Sequence, residues 1–151
     1  MRMDIPTNPP AAILPVGWRD LRQVVRVERE CFRDDAWPLV DILAVLVIPG
    51  IVRLKAVVGD QIVGFAAAEV RSGVSWITTI GVIPAHRRRG IARAMLAACE
   101  EQLSTERIRL CVRRSNLVAQ FLYQQQAYRQ VDTWPRYYRG GEDAIVMEKN
   151  R

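Results

Sequence analysis

The fold is decided by the stretch Gly81-Val82-Ile83-Pro84-Ala85-His86-Arg87-Arg88-Arg89-Gly90-Ile91-Ala92-Arg93. A β-rich run ends at Ile83, Pro84 turns the chain, and the pattern predicts a helix that begins at Gly90. Amide N–H groups at a helix start, together with the helix dipole, bind anions. The stretch therefore predicts a strand–turn–helix unit that holds a phosphate-bearing partner, with a solvated basic loop as the alternative. The charge for the outer oxygens of that partner would come from Arg87, Arg88, Arg89 and Arg93.

The rest of the chain alternates between strand and helix patterns around this unit. Before it, the pattern predicts a first strand (Ala11 to Leu14), a helix (Gly17 to Phe32), a second helix opened by Pro38 and closed by Pro49-Gly50, and an antiparallel meander (Ile51 to Val58, Ile62 to Arg71, Val74 to Ile83). After it come a helix from Gly90, a strand (Arg107 to Val112), a helix (Leu117 to Gln126) and one or two strands ending with Ala144 to Glu148. The order βααβββαβαββ predicts an α+β (mixed α/β) fold, with helices on both faces of a mostly antiparallel sheet.

Length and composition predict one domain. The chain has 151 residues, and its first ten include three prolines, so we expect a flexible tail over residues 1–10 and a single domain over residues 11–151. The beginning has no secretory h-region, and the longest apolar run is seven residues, from Ile42 to Ile48. Three spaced cysteines and a single histidine match no disulfide framework or zinc pattern. We therefore expect a cytoplasmic, metal-free protein that does not bind membranes.

The basic charge raises the question of which anion the protein binds. The chain carries 22 basic and 16 acidic side chains, a formal net charge of +6, and only Lys55 and Lys149 among the basic residues are lysines. A P-loop and a dinucleotide-binding fingerprint are both absent. A nucleic-acid-binding module is an alternative, but six arginines cluster in two motifs, which favours one phosphorylated cofactor over a polyanion and predicts no specific nucleic-acid partner. These six are Arg87, Arg88, Arg89, Arg93, Arg113 and Arg114.

The pattern Arg87-x-x-Gly90-x-Ala92 resembles motif A, [RQ]-x-x-G-x-[GA], of the GNAT superfamily of acetyl-CoA-dependent N-acetyltransferases. The resemblance implies a GNAT-like sheet, acetyl-CoA (coenzyme A) as cofactor, and direct transfer of the acetyl group to a primary amine. It implies that amides of this loop hold the pyrophosphate and that the backbone of the preceding strand pairs with the pantetheine arm. The cofactor-binding residues it implies are Ile80, Gly81, Val82, Arg87, Arg88, Arg89, Gly90, Ile91, Ala92, Arg93 and Asn116.

A second constellation follows the next strand. Asn116, Ala119 and Tyr123 lie at i, i+3 and i+7, so they share one helix face. By the same resemblance, Asn116 contacts the cofactor and Tyr123 donates a proton to the departing thiolate. The alternatives are that Asn116 only caps the helix and that Tyr123 is only a packed aromatic residue.

From Glu30 to Met147 the chain looks like the ribosomal-protein-alanine N-acetyltransferase branch of that superfamily. The matching stretches are Leu110-x-Val112-Arg113-x-Ser115-Asn116, Leu122-Tyr123, and Tyr137-Tyr138 followed by Glu142-Asp143-Ala144-Ile145-Val146-Met147. The resemblance implies that the acceptor is a protein or peptide N-terminal α-amine. A small-molecule amine and a catalytically silent acetyl-CoA-binding module are alternatives, and the protein is expected to be a monomer or a homodimer. The acceptor-binding residues expected are Phe32, Trp37, Trp76, Tyr137 and Tyr138.

Two positions depart from the branch. Members place Glu, as general base, where this chain has Cys111. Arg109 and Arg113 lie on the same strand face, which raises the hypothesis that they lower the pKa of Cys111 toward a catalytic thiolate; a small, inert strand cysteine is the favoured interpretation. Without that base, an ordered water relayed by Glu69, or by Glu142 or Asp143, is expected to take the amine proton. An α-amine, with a pKa of ~7.7–8.0, needs a general base less than a lysine side chain does, since the lysine pKa is ~10.4.

The second departure is Gln126-Ala127-Tyr128, where the branch has Leu-Gly-Phe. Because Ala lacks the freedom of Gly at positive φ, this corner is predicted to have a different shape.

Overall fold

A seven-stranded sheet runs through residues 11–151, which are the residues that the computed structural model describes. The tail predicted over residues 1–10 lies outside them. Along the sheet the order is β1-β2-β3-β4-β5-β7-β6, and only the β4–β5 pair is parallel. The strands are β1 (Ala12–Pro15), β2 (Val52–Val58), β3 (Gln61–Arg71), β4 (Val74–Val82), β5 (Arg107–Arg113), β6 (Arg129–Trp134) and β7 (Ala144–Asn150). This mostly antiparallel sheet confirms the predicted fold class.

Four helices complete the predicted order: α1 (Leu21–Phe32), α2 (Leu39–Val47), α3 (Ile91–Glu101) and α4 (Leu117–Gln125). The first α-helix begins at Leu21 rather than at Gly17, because Trp18–Asp20 forms a 3-10 turn in which the Asp20 carboxylate accepts from the Gly17 N–H at 3.1 Å. Helix α2 stops at Val47, since Ile48 precedes a proline and is extended. Among residues 11–151, no helix is long and apolar enough to cross a membrane.

Helices α1 and α3 cover opposite faces of the sheet. A Cβ added at Gly64 would lie 2.9 Å from Met95 of α3, whereas one added at Gly81 would lie 3.0 Å from Phe32 of α1. Gly81 is the cross-strand partner of Phe65, the residue next to Gly64, and successive strand residues point to opposite faces. The predicted packing of helices on both faces is therefore confirmed, and α1 is held close to β4 by the missing side chain at Gly81.

The sheet opens between β4 and β5, and this opening positions the site. The two strands pair only over Ser75–Ile77 and Ile108–Leu110. The next residue of β4, Thr78, is extra with respect to β3, because Ile77 pairs with Ala68 and Thr79 pairs with Ala67. Beyond this bulge, the facing edges of β4 and β5 pair with no other strand of the described residues, and they border a cleft.

The corner after α4 has the backbone shape that glycine favours, although an alanine occupies it. Ala127 has φ of +70°, in the left-handed region, and the Tyr128 N–H donates to the Tyr123 carbonyl at 3.0 Å. The expectation of a differently shaped corner is therefore wrong. The helix end closes in the usual way, and Ala127 carries the strain of that conformation.

Candidate active site

A cleft of about 190 Å³ lies between the diverging ends of β4 and β5. Thr78, Thr79 and Ile80 form its β4 wall, and Cys111, Val112 and Arg113 form its β5 wall. Helix α4 adds Asn116, Ala119 and Tyr123, so the three residues predicted to share one helix face do face one cavity. The remaining wall comes from α1 and the segment after it, with Glu28, Phe32, Asp35 and Trp37, and from Tyr138 in the loop before β7.

The loop at the β4 end of the cleft exposes backbone amides. Arg88 and Gly90 have positive φ, of 63° and 78°, and the first helical hydrogen bond of α3 runs from the Ala94 N–H to the Gly90 carbonyl at 3.0 Å. The amides that precede Ala94 in this first turn therefore have no carbonyl partner within the helix, and no side chain caps Gly90. Such a set of free N–H groups at a helix start fits a phosphate group.

The four arginines of this loop have two different roles. Arg88, Arg89 and Arg93 are exposed and form no ion pair with the described residues. Arg87 instead donates its Nε–H to the Val82 carbonyl at 2.8 Å. It braces the loop against the end of β4, while the other three remain available to an anion.

Asn116 and Tyr123 occupy the two ends of the α4 face that borders the cleft. Asn116 Oδ1 accepts from the Ala119 N–H at 3.2 Å, so this residue is a helix cap whatever else it binds. Tyr123 is buried, packs edge-to-face against Tyr128 with ring centroids 6.0 Å apart, and forms no side-chain hydrogen bond with the described residues. Burial raises the pKa of Tyr123 to about 12. Its hydroxyl therefore keeps its proton at neutral pH and can donate it.

Cys111 lies in the β5 wall as a neutral thiol. Burial raises its pKa to about 11, so the predicted lowering of the pKa by Arg109 and Arg113 is wrong. Both guanidinium groups are held by carboxylates: Arg109 Nε lies 2.6 Å from Glu148 Oε2, and Arg113 binds Asp35. The geometry gives no support to a thiolate at position 111.

A second cavity, of about 240 Å³, adjoins the cleft and has aromatic walls. The Trp76 and Trp134 ring centroids are 5.6 Å apart, those of Trp134 and Tyr137 are 5.5 Å apart, and those of Tyr137 and Tyr138 are 5.0 Å apart. Of the predicted acceptor-binding residues, Phe32 borders the cleft instead. The predicted residues that do line this cavity are Trp37, Trp76, Tyr137 and Tyr138.

Trp134 completes this aromatic wall, and sequence analysis missed it. The available signal was its position three residues before Tyr137, at the end of the first strand of the final hairpin. The two cavities also share wall residues, so they lie side by side. The shared residues are Trp37, Ile77, Thr78, Cys111 and Tyr138.

The carboxylates predicted as proton relays line neither cavity. Glu69 forms an ion pair with the exposed Arg71. Glu142 accepts from the Ser115 N–H at 2.7 Å and from Arg113 Nη1 at 2.6 Å, and these contacts lower its pKa to about 2. Asp143 accepts from the Arg136 N–H at 3.1 Å. The structure places Glu142 and Asp143 as anchors of the loop before β7.

Sequence analysis also missed Glu28, a carboxyl group that lines the cleft. It is only 1% exposed, and its Oε1 accepts from the Thr79 hydroxyl at 2.8 Å. Burial raises its pKa, although the hydrogen bond from Thr79 and the backbone N–H of Trp37 oppose that shift. The available signal was an acidic residue four positions from both Val24 and Phe32, on the apolar face of α1.

Comparison with known proteins gives the same fold and a family. The chain is 30% identical over 148 residues to the N-alpha-acetyltransferase RimI of Mycobacterium tuberculosis, covering 93% of both chains. It superposes on the ribosomal-protein-S18-alanine N-acetyltransferase of Escherichia coli with a TM-score of 0.82, at 22% identity and 93% coverage of each chain. It also superposes on Arabidopsis thaliana NAA60 in complex with acetyl-CoA, with a TM-score of 0.81, at 21% identity, covering 93% of this chain and 98% of that one.

The described residues also fit the predicted ligand, since an unpaired strand edge leads to free amides and three free arginines. The model of the Acetyltransferase (GNAT) family matches residues 18–128, which include the loop and most of both cavity walls. The resemblance seen in the sequence is therefore confirmed: the chain belongs to the GNAT family of acetyltransferases.

Proposed function

We propose that the protein transfers the acetyl group of acetyl-CoA to the α-amine of a peptide or protein N-terminus, with residues 11–151 acting as a single catalytic domain. The observation that carries this proposal is that two unlike cavities lie side by side and share Thr78 and Cys111 in their walls. One cavity ends at an anion-binding loop, and the other has aromatic walls. A thioester held in the first and an amine entering through the second would meet where the cavities join.

The cleft suits the cofactor along its whole length. The pantetheine arm carries amides that can pair with the free edge of β4 from Thr78 to Val82, as an added strand would. Its pyrophosphate would then reach the amides of the first turn of α3, where Arg88, Arg89 and Arg93 surround it with positive charge. On the opposite wall, Asn116 supplies a polar helix cap and Ala119 supplies a small side chain.

The aromatic cavity suits a peptide better than a polyamine. Among the described residues that line it there is no carboxylate, and its one cation, Arg71, is paired with Glu69. A polycationic small molecule is recognised by acidic walls, whereas aromatic walls give contact area to the apolar parts of a peptide. The N-alpha-acetyltransferase activity in the name of the mycobacterial relative supports the same acceptor class. The cytoplasmic location and the monomeric or homodimeric state stay predictions from the sequence.

In the proposed reaction the neutral amine attacks the thioester carbonyl, a C–N bond forms and the C–S bond breaks. Both reactants are held in one passage, which supplies proximity and orientation. Tyr123 is proposed to give its proton to the sulfur, because the residue lines the cleft and its raised pKa keeps it protonated. Cys111 stays a neutral wall residue.

The test is thiol release from acetyl-CoA over a panel of amines, with the products mapped by mass spectrometry. We expect release with peptides that have a free N-terminus and acetylation at the α-amine. Each peptide is paired with a control of the same sequence whose N-terminus is blocked but whose lysines are free. Acetylation of the blocked peptides, or of polyamines alone, would contradict the proposed acceptor. Tight acetyl-CoA binding without thiol release over the whole panel would identify a silent binding module, the alternative that the cysteine at position 111 supports.

A further inference from the structure

We propose that Glu28 is the catalytic base of this enzyme: its carboxylate takes the proton that the acceptor ammonium must lose before attack. The proposal rests on the proposed acetyl transfer. It adds the general base, a role that Cys111 does not fill because it is a neutral thiol. The observation behind it is a buried carboxyl group, on the first helix, that borders the cavity where the two substrates would meet.

Glu28 is the one carboxyl group of the cleft wall that the described residues leave without a cation. The only other acidic residue in that wall is Asp35, which is bound by Arg113. The β5 residue opposite, Cys111, is a neutral thiol. A general base must be able to hold a proton, and a carboxylate in an ion pair is poorly suited to that role.

The hydrogen bonds of Glu28 connect its carboxyl group to the cleft. Thr79 donates to Oε1 at 2.8 Å, the backbone N–H of Trp37 also acts on the carboxyl group, and Oε2 is closed to solvent with no partner within hydrogen-bond distance among the described residues. Thr79 lines the cleft, so its hydroxyl links the buried carboxylate to the cavity. An ammonium group bound in the cleft would give its proton to the carboxylate through that hydroxyl.

The surroundings of Glu28 also favour proton acceptance. The titratable side chains that share its cleft or its helix face are Cys31, Asp35, Cys111, Arg113, Tyr123 and Tyr138, and Arg87 approaches Cys31 from the loop after β4. Two of these groups are cations at neutral pH: Arg113 is bound by Asp35 and Glu142, and Arg87 contacts the Cys31 thiol and donates to the Val82 carbonyl. Burial therefore dominates and raises the pKa of Glu28, which makes its carboxylate a stronger base near neutral pH.

The proton balance of the reaction is complete with this assignment. Glu28 takes one proton from the ammonium, and the neutral amine then forms the C–N bond. The adduct nitrogen loses a second proton as the C–S bond breaks, and Tyr123 protonates the leaving sulfur and is reprotonated by that second proton. Glu28 finally returns its proton to solvent, so the products are the acetylated amine, the free thiol of coenzyme A and one proton.

The first test is the Glu28→Gln variant, which keeps an oxygen for the Thr79 hydroxyl but removes proton acceptance. General base catalysis contributes about 10²–10⁴-fold, so we expect kcat at pH 7 to fall by at least ~100-fold. The dissociation constant of acetyl-CoA should stay within about threefold. The matched control is Glu30→Gln, an exposed glutamate on the same helix, which should leave kcat unchanged.

The second test is the pH profile of the Thr79→Val variant. The hydrogen bond from Thr79 lowers the pKa of Glu28, so its removal should raise that pKa and move the acid limb of kcat/KM to higher pH. A merely structural bond would lower the thermal midpoint without moving the limb. This profile also decides the question if Glu28→Gln fails to fold or to bind acetyl-CoA.

The outcomes separate the two proposals. A wild-type enzyme that acetylates no amine would overturn both. An active wild type with a Glu28→Gln variant that is folded and equally active, or a Thr79→Val variant with an unmoved acid limb, would overturn the assignment of Glu28 alone.

Discussion

Arg113 on β5 donates its Nε–H to Asp35 Oδ2 at 2.7 Å, across 78 positions of sequence. The same guanidinium donates to Glu142 Oε2 at 2.6 Å and lies 4.5 Å from the centroid of the Tyr138 ring. It therefore joins the segment between α1 and α2 to the loop before β7. These two segments carry Trp37 and Tyr138, and each of these residues lines both cavities.

Asp35→Asn should loosen the acceptor side of the site while leaving the cofactor side intact. The ion pair is partly exposed, so its loss is expected to cost about 1 kcal/mol in the free energy of unfolding. Because Trp37 would then be less well held, we expect KM for a peptide acceptor to rise about five- to tenfold, with the dissociation constant of acetyl-CoA unchanged. Steady-state kinetics and calorimetry check this. Arg114→Gln, which removes a looser exposed pair to Asp143, is the control and should leave KM within twofold.

Glu142 should make the stability of the loop depend on acidic pH. Hydrogen bonds from Ser115 and then from Arg113 lower its pKa from 4.5 to about 2 in the folded protein. A lowered pKa means that the stabilisation is complete above pH 4.5 and is lost as the pH falls toward 2. Glu142→Gln should therefore be less stable than wild type at pH 6, and the difference should shrink at pH 2.5. Urea unfolding at both pH values measures this, and a difference that stays constant would contradict it.

Tyr123→Phe should slow acetyl transfer without weakening cofactor binding. Loss of the hydroxyl is expected to lower kcat about 100-fold, because no second tyrosine of α4 lines the cleft and could donate the proton instead. Because the pKa of Tyr123 is about 12, the pH profile of wild-type kcat should show no decrease from ionisation of this residue below about pH 11. Stopped-flow thiol release checks both statements.

Tyr128→Phe is the control for this prediction. Its hydroxyl donates to Glu100 at 2.8 Å and its side chain lines neither cavity. It should cost about 1 kcal/mol of stability and leave kcat unchanged. An equal loss of kcat in both variants would point to packing rather than to proton donation.

The three free arginines of the loop should account for much of the affinity for acetyl-CoA. Replacing Arg88, Arg89 and Arg93 with Gln is expected to weaken binding by about 30- to 100-fold, equivalent to about 2–3 kcal/mol. The salt dependence of the dissociation constant should also become weaker, because fewer charges remain to be screened. Titration calorimetry at two salt concentrations measures both effects.

A triple variant with the same change in net charge controls for long-range electrostatics. Arg22, Arg107 and Arg129 are exposed and line neither cavity. Their replacement with Gln should change the affinity by no more than about threefold. Equal losses in the two triple variants would mean that net charge, not the loop, holds the cofactor.

Ala127→Gly should stabilise the protein. Alanine in the left-handed region costs roughly 1–2 kcal/mol, and glycine would relieve this strain. Glycine also has more conformational freedom in the unfolded chain, which offsets part of the gain. We expect a net gain of about 0.5–1 kcal/mol, or about 2–3 °C in Tm. Ala97→Gly, on an exposed position inside α3, is the control and should destabilise by about 1 kcal/mol. A lower Tm for both variants would show that Ala127 is not strained.

The fold and the cofactor side of the site could be predicted because local features of the sequence specify them. The turn at Pro84, the helix start at Gly90 and the helical spacing of Asn116, Ala119 and Tyr123 each depend on residues a few positions apart. Short-range backbone preferences and the periodicity of apolar residues are enough to place such elements in order.

The chemistry of the acceptor side was decided only by tertiary structure. The sequence placed Arg109 and Arg113 beside Cys111, but it could not tell that Glu148 and Asp35 bind them, so the predicted pKa shift had the wrong sign. In the same way, the hydrogen bond between Glu28 and Thr79 joins residues 51 positions apart, and no periodic pattern in the sequence predicts such a contact. A motif resemblance indicated the family, and local patterns in the sequence predicted the order of elements and the anion-binding loop. The pairing of charges, and the carboxyl group left without a cation in the cleft, depend on burial and on contacts between residues far apart in sequence. These contacts form only when the sheet and its helices have packed together.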